Sequence, residues 1–118
     1  MRARLFAGFA ALCIASAAHA HAFLDQADPK VGAVVQAAPA EVRLQFDEAL
    51  EGAFSSIQVL DANGQPVDAA RARVDRGQPQ VLRLALPRLA PGSYVVKWRA
   101  VSVDTHATQG HYAFTVRP

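Results

Sequence analysis

Five short segments of this chain alternate apolar and polar residues with a period of two, and no helical period appears after residue 20. "EVRLQF" puts Val42, Leu44 and Phe46 on one face; "SSIQVLD" does so with Ile57 and Val59, and "VLRLAL" with Leu82, Leu84 and Leu86. "YVVKWRAV" contributes Tyr94, Val96 and Trp98, and "HYAFTV" contributes Tyr112, Phe114 and Val116. Successive side chains of a strand point to opposite faces, so each segment reads as a strand buried on one side. A strand at "AFLDQAD" and a weak one at "ARARV" bring the number to about seven, separated by turn signals in "DPKVG", "AAPA", "DANGQP", "RGQP" and "LAPGS". That number and spacing imply an all-β chain folded as an antiparallel, immunoglobulin-like β-sandwich without its disulfide. Phe46, Trp98, Tyr112 and Phe114 fall in register with aliphatic neighbours and read as core. Residues 61–80 are the least patterned, a polar connection with one edge strand whose Arg71, Arg73 and Arg76 form a solvated face.

The first twenty residues have a different plan. Arg2 and Arg4 precede an uncharged apolar run from Leu5 to Ala18, then small residues around His19, the three-part layout of a secretory signal peptide. The run falls short of the roughly 20 apolar residues a bilayer span requires. Lipidation at Cys13 competes with cleavage, but Leu12 is a poor residue to precede a lipidated cysteine. Cleavage is expected, leaving one domain over residues 21–118, outside the cytoplasm and without direct membrane insertion. The stretch "ASAAHAHAF" offers three A-x-A frames, ending at Ala17, Ala20 and Ala22, and only the middle one makes His21 the first residue.

Losing the leader changes the balance of charge. The chain has 12 basic and 10 acidic residues; without Arg2 and Arg4 the two signs are equal, which argues against nucleic acid or an anionic membrane surface as partner. The single methionine and single cysteine, Met1 and Cys13, leave with it. Disulfide stapling is thereby excluded, as are the sulfur ligands that suit Cu(I). His21, His106 and His111 remain as the histidines of the mature chain.

Asp104 and His106 lie two apart, beyond an apolar strand and before Gly110. In an extended backbone such residues project to the same side. Alone the pair is either a hydrogen-bonded loop contact or half of a metal site. Cleavage after Ala20 gives His21 a free α-amine beside its own imidazole, so that three nitrogens and the Asp104 carboxylate form a donor set suited to tetragonal Cu(II). Catalytic patterns are weak by comparison. No serine has a glycine-flanked nucleophile setting, no phosphate loop is present, and Asp47, Glu48 and Glu51 read as a solvated loop after a strand.

These residues resemble the CopC-type periplasmic copper-binding proteins. The likeness spans the mature chain: histidine directly after the leader, "DPKVGAVVQAAPAEVRLQFDEALE", and "LAPGSYVVKWRAVSVDTHATQGHYAFTV" with its Pro-Gly-x-Tyr turn, tryptophan strand, Asp-x-His and Gly-x-x-x-Phe-x-Val close. The resemblance implies a Greek-key β-sandwich and one Cu(II) per chain, held by His21 through amine and ring, Asp104, His106 and, as in some members, Glu48. It also implies a monomeric carrier or buffer in copper resistance, homeostasis or uptake, with a CopD-type inner-membrane copper protein as partner. Two departures stand out. The methionine-rich loop that gives some members a Cu(I) site is replaced by "DANGQPVDAARARVDRGQPQ", so no Cu(I) methionine site is expected. His111 stands where a small or polar residue is expected, as an exposed strand residue or a group near the site; Phe23 either shields the site or anchors the first strand.

Two other functions compete with a carrier. Lytic polysaccharide monooxygenases also hold copper with an N-terminal histidine and a second histidine, but this chain is short, lacks a long substrate-binding loop, and offers Asp104, whose anionic oxygen disfavours reduction. A metal-free immunoglobulin-like interaction module would leave the histidines incidental.

Overall fold

A computed structural model describes residues 22–118. Among the described residues there are eight strands: β1 (Leu24–Asp28), β2 (Val34–Val35), β3 (Glu41–Phe46), β4 (Ser56–Leu60), β5 (Arg73–Val74), β6 (Val81–Ala85), β7 (Gly92–Val101) and β8 (Ala107–Val116). They form two four-stranded sheets, β1-β3-β6-β5 and β2-β8-β7-β4, and the chain crosses between the sheets in Greek-key fashion. All pairings are antiparallel except that of β2 with β8.

The five alternating segments become β3, β4, β6, β7 and β8, and their apolar faces meet between the sheets. Val42, Leu44, Val59, Leu82, Leu84 and Val96 have no solvent exposure, and Phe46 and Phe114 have almost none. The β-sandwich is thus the fold that the alternation implies. Two details differ from expectation. β2 is an eighth strand that the alternation does not reveal, because two residues contain no period. The weak "ARARV" strand contracts to Arg73–Val74 at the edge of the first sheet, with Arg71, Arg73 and Arg76 exposed.

Residues 61–68 turn back over the edge of β4. The Val59 N–H donates to the Asp68 carboxylate at 2.8 Å and the Val67 N–H donates to the Val59 carbonyl at 2.9 Å. The groups a free edge would offer to another chain are therefore used internally. On the first sheet's outer face Arg83 is held between Asp75, 2.7 Å from its Nε, and Glu41. Hydrogen bonding to Arg83 keeps the Asp75 carboxyl below its ordinary range.

Buried polar groups lock the ends of the long strands. The Tyr94 hydroxyl donates to the Ala90 carbonyl at 2.5 Å, a local tie of the tyrosine-corner kind. The Tyr112 hydroxyl donates to the Pro29 carbonyl at 2.7 Å and joins β8 to the turn after β1. Burial, and secondarily the charge of Asp28, raises the Tyr112 phenol above its ordinary range, so it remains a neutral donor.

Trp98 sets the spacing at one end of the core. It pairs across strands with Gly110 and meets Phe46 of the opposite sheet edge-on, ring centroids 5.2 Å apart. Its indole lies so close over Gly110 that a Cβ there would stand 2.6 Å from a ring carbon. Gly110→Ala is expected to destabilise the fold by about 1–3 kcal/mol through overpacking. Urea unfolding followed by tryptophan fluorescence checks this; an unchanged midpoint would mean that the ring moves aside freely.

Candidate metal centre

The register of β7 with β8 ends at Val101 opposite Ala107, leaving residues 102–106 to form the turn. The Ser102 N–H donates to the His106 carbonyl at 2.9 Å, and the Thr105 N–H donates to the Ser102 carbonyl at 2.8 Å. The backbone between Asp104 and His106 is therefore tightly turned, not extended as the i, i+2 spacing suggests. Thr105 takes a left-handed conformation at φ 74°, unusual for a β-branched residue. The turn still brings the two side chains together. His106 Nδ1 lies 3.5 Å from Asp104 Oδ1, and both side chains are about half exposed, at 50% and 49%.

A serine lies beneath the pair. Ser102 is fully buried, and its hydroxyl donates to Asp104 Oδ1 while lying 3.3 Å from the His106 carbonyl oxygen. That donor is the main reason the Asp104 carboxyl titrates below its ordinary range; desolvation opposes it, and hydrogen bonding to His106 and its charge add smaller effects in the same direction as Ser102. The sequence signal for this arrangement is Ser-x-Asp at the end of an apolar strand, a pattern distinct from that of a nucleophilic serine.

The loop after β3 braces the turn from the other sheet. The Val103 N–H donates to the Ala49 carbonyl at 3.1 Å, the Glu51 N–H donates to the Val101 carbonyl at 2.8 Å, and Leu50 bridges to Ser102. The Ser55 hydroxyl accepts from the Val101 N–H at 3.0 Å. Glu48 is half-buried in this loop, next to Ala49. Among the described residues, no three His, Cys, Asp or Glu side chains form a group able to hold a metal ion. Asp104 and His106 are thus a pair, with Glu48 near them through the backbone of its neighbour.

The N-terminal segment reaches the same end. Ala22 is fully buried, and its carbonyl accepts from the Thr108 hydroxyl at 2.5 Å, two residues beyond His106 on β8. The Phe23 N–H donates to Asp47 Oδ1 at 2.7 Å, and the Asp47 N–H returns a bond to the Phe23 carbonyl at 3.0 Å. These bonds tie the Phe23 main chain to the loop after β3, and the residue is 44% exposed. His21 lies outside the described residues, but the residue that follows it is fixed beside the Asp104–His106 turn. His111 is exposed on the outer face of the second sheet, opposite Lys97. At about 3.3 Å per residue it stands roughly 16 Å along β8 from His106.

Comparison with known proteins finds relatives that share this fold. The CopC domain model matches residues 24–117. The crystal structure of CopC from Methylosinus trichosporium OB3b superposes with a TM-score of 0.79 at 44% identity, covering 83% of this chain and 95% of that one. PcoC from Escherichia coli, a methionine-rich copper resistance protein, superposes with a TM-score of 0.75 at 35% identity, covering 83% of this chain and all of its own. Protein YobA of Escherichia coli strain K12 is 37% identical over 99 residues, 83% of this chain and 80% of YobA.

Two predictions follow from the turn. Thr105→Gly is expected to raise the stability of the metal-free protein by about 1 kcal/mol, because glycine adopts positive φ without the Cβ clash. A lowered urea midpoint would show that the Thr105 hydroxyl, which bonds the Asp104 carbonyl, outweighs the strain. Because the folded chain lowers the Asp104 carboxyl below its ordinary range, its stabilising contribution is complete above the unfolded value and is lost as pH falls through the folded one. The stability gap between wild type and Asp104→Asn should therefore close as pH drops from about 5 to about 2; a gap independent of pH in urea melts would contradict the assignment.

Proposed function

The chain belongs to the CopC family, and from that premise we propose that it is a periplasmic Cu(II) carrier, binding one ion per chain as cargo for copper resistance, homeostasis or uptake. The observation that carries this reading is the meeting, at one end of the sandwich, of the Asp104–His106 pair and the anchored Ala22 that follows His21. Adjacent Cα atoms lie about 3.8 Å apart, so a mature chain beginning at His21 starts within one residue of that anchor.

The donors fit the cargo chemically. His21 supplies its α-amine and ring nitrogen, His106 a second imidazole and Asp104 an anionic oxygen, a nitrogen-rich set with one hard ligand that suits tetragonal Cu(II). His106 Nδ1 and Asp104 Oδ1, 3.5 Å apart, are within the span of two bonds of about 2 Å to a common ion. Glu48, on the bracing loop, is the candidate for a further carboxylate. Residues 21–118 contain neither methionine nor cysteine, so the soft ligands that would retain Cu(I) are missing from the mature chain. The half-exposure of Asp104 and His106 suits loading and release better than a closed reaction chamber. A CopD-type inner-membrane copper protein is the proposed recipient or donor, and the carrier itself is read as a monomer without enzymatic activity.

Protein beginning at His21 should bind one equivalent of Cu(II) in a competition titration. A one-residue N-terminal extension and His106→Ala should each weaken binding by at least about a hundredfold; wild-type affinity in both variants would refute the site. Protons compete for the amine and both imidazoles, so affinity should fall more than about a hundredfold from pH 7 to pH 5. The same titration at the two pH values measures it, and a flat profile would exclude nitrogen ligation.

A further inference from the structure

Ser102 has more constraints on it than a strand residue needs. It is fully buried, it closes the turn through its own N–H and carbonyl, and it bridges to Leu50 on the bracing loop. Its hydroxyl points at Asp104 Oδ1, with the His106 carbonyl next to it. One side chain therefore touches the carboxylate of one proposed ligand and the backbone of the other. A hydroxyl donor on Oδ1 fixes the rotation of the carboxylate, which on an exposed turn would otherwise sample many orientations. Fixing it before the ion arrives removes an ordering cost from binding, as hydrogen-bonding partners of ligating groups do at metal sites generally.

We propose that Ser102 is the positioning residue of the copper site, orienting the Asp104 carboxylate through its buried hydroxyl. This rests on the Cu(II) reading above. Ser102 itself does not bond the ion; it acts through Asp104. Ser56, exposed on β4 of the second sheet, has no such contact and serves as a control.

The test is Cu(II) affinity and the electron paramagnetic resonance spectrum of protein beginning at His21, for wild type, Ser102→Ala, Ser102→Thr, Ser56→Ala, Asp104→Ala and the double variant Ser102→Ala with Asp104→Ala. Ser102→Ala is expected to weaken binding about 10–100-fold and to change the copper hyperfine splitting. Ser102→Thr, which keeps the hydroxyl, should retain the wild-type spectrum, and Ser56→Ala should match wild type throughout. In the Asp104→Ala background, removing the Ser102 hydroxyl should cost little more, because the two act as a unit. Wild-type affinity and spectrum in Ser102→Ala would overturn the proposal, as would an undiminished loss in the Asp104→Ala background, which would mark a merely structural role. Failure of wild type itself to bind Cu(II) would overturn the carrier reading instead, so the two failures are distinct.

Discussion

The antiparallel pairing of β7 with β8 is the constraint on which the candidate site depends. Its ten paired positions run from Gly92 opposite Val116 to Val101 opposite Ala107, and the five residues left over form the turn that carries Asp104 and His106. A slip of one residue would expose Tyr94, Val96 and Trp98 and bury Lys97 and Arg99. The apolar cost of that exchange fixes the register, and the register fixes the turn. Trp98 over Gly110 and Phe46 against Trp98 tie the same end of the hairpin to the opposite sheet. The turn is thereby mounted on the packed core, although the Asp104 and His106 side chains are half-exposed.

A second set of contacts brings the chain's N-terminal segment to this place. Ala22 is buried and bonded to Thr108, Phe23 and Asp47 exchange main-chain and side-chain bonds, and Ala49 holds Val103. Segments far apart in sequence thus converge on one end of the sandwich, by bonds that belong to the fold and need no ion. Such preorganisation matters for a carrier, because binding energy is then not consumed in ordering the protein. The left-handed Thr105 is the local departure from conformational preference, and it stands between the two proposed ligands. Strain of this kind persists where surrounding contacts overdetermine the backbone, here through the hydrogen bonds of Ser102.

Much of the fold was legible in the sequence because burial on one face writes itself as alternation. Val42, Leu44 and Phe46 mark β3 without reference to any neighbour, and Tyr112, Phe114 and Val116 do the same for β8. β2 was not legible, since two residues hold no period and its partner, β8, is some eighty residues away. For the candidate site, residue type singles out Asp104 and His106, and the structure brings their side chains together, but their spacing suggests an extended pair where the structure has a turn with a left-handed centre. Ser102 was overlooked because hydroxyl groups announce themselves in sequence only when glycine or a capping pattern surrounds them. Its importance lies in complete burial next to a carboxylate, which only three-dimensional packing reveals. Phe23 and His111 each admit two readings from sequence; in the structure the Phe23 N–H bonds Asp47 and His111 stands on β8 opposite Lys97.

A carrier and a copper enzyme differ in what their ligands ask of the metal. On the reading proposed above, an anionic oxygen and nitrogen donors would hold Cu(II), and the half-exposed turn would permit exchange with a partner. The most direct measurement is a crystal structure of the chain beginning at His21, grown with one equivalent of Cu(II) and phased on copper anomalous scattering. A single copper peak is predicted, within about 2 Å of donor atoms of His21, Asp104 and His106. A peak on His111 or on the arginine-bearing face of the first sheet, with none at the turn, would contradict it.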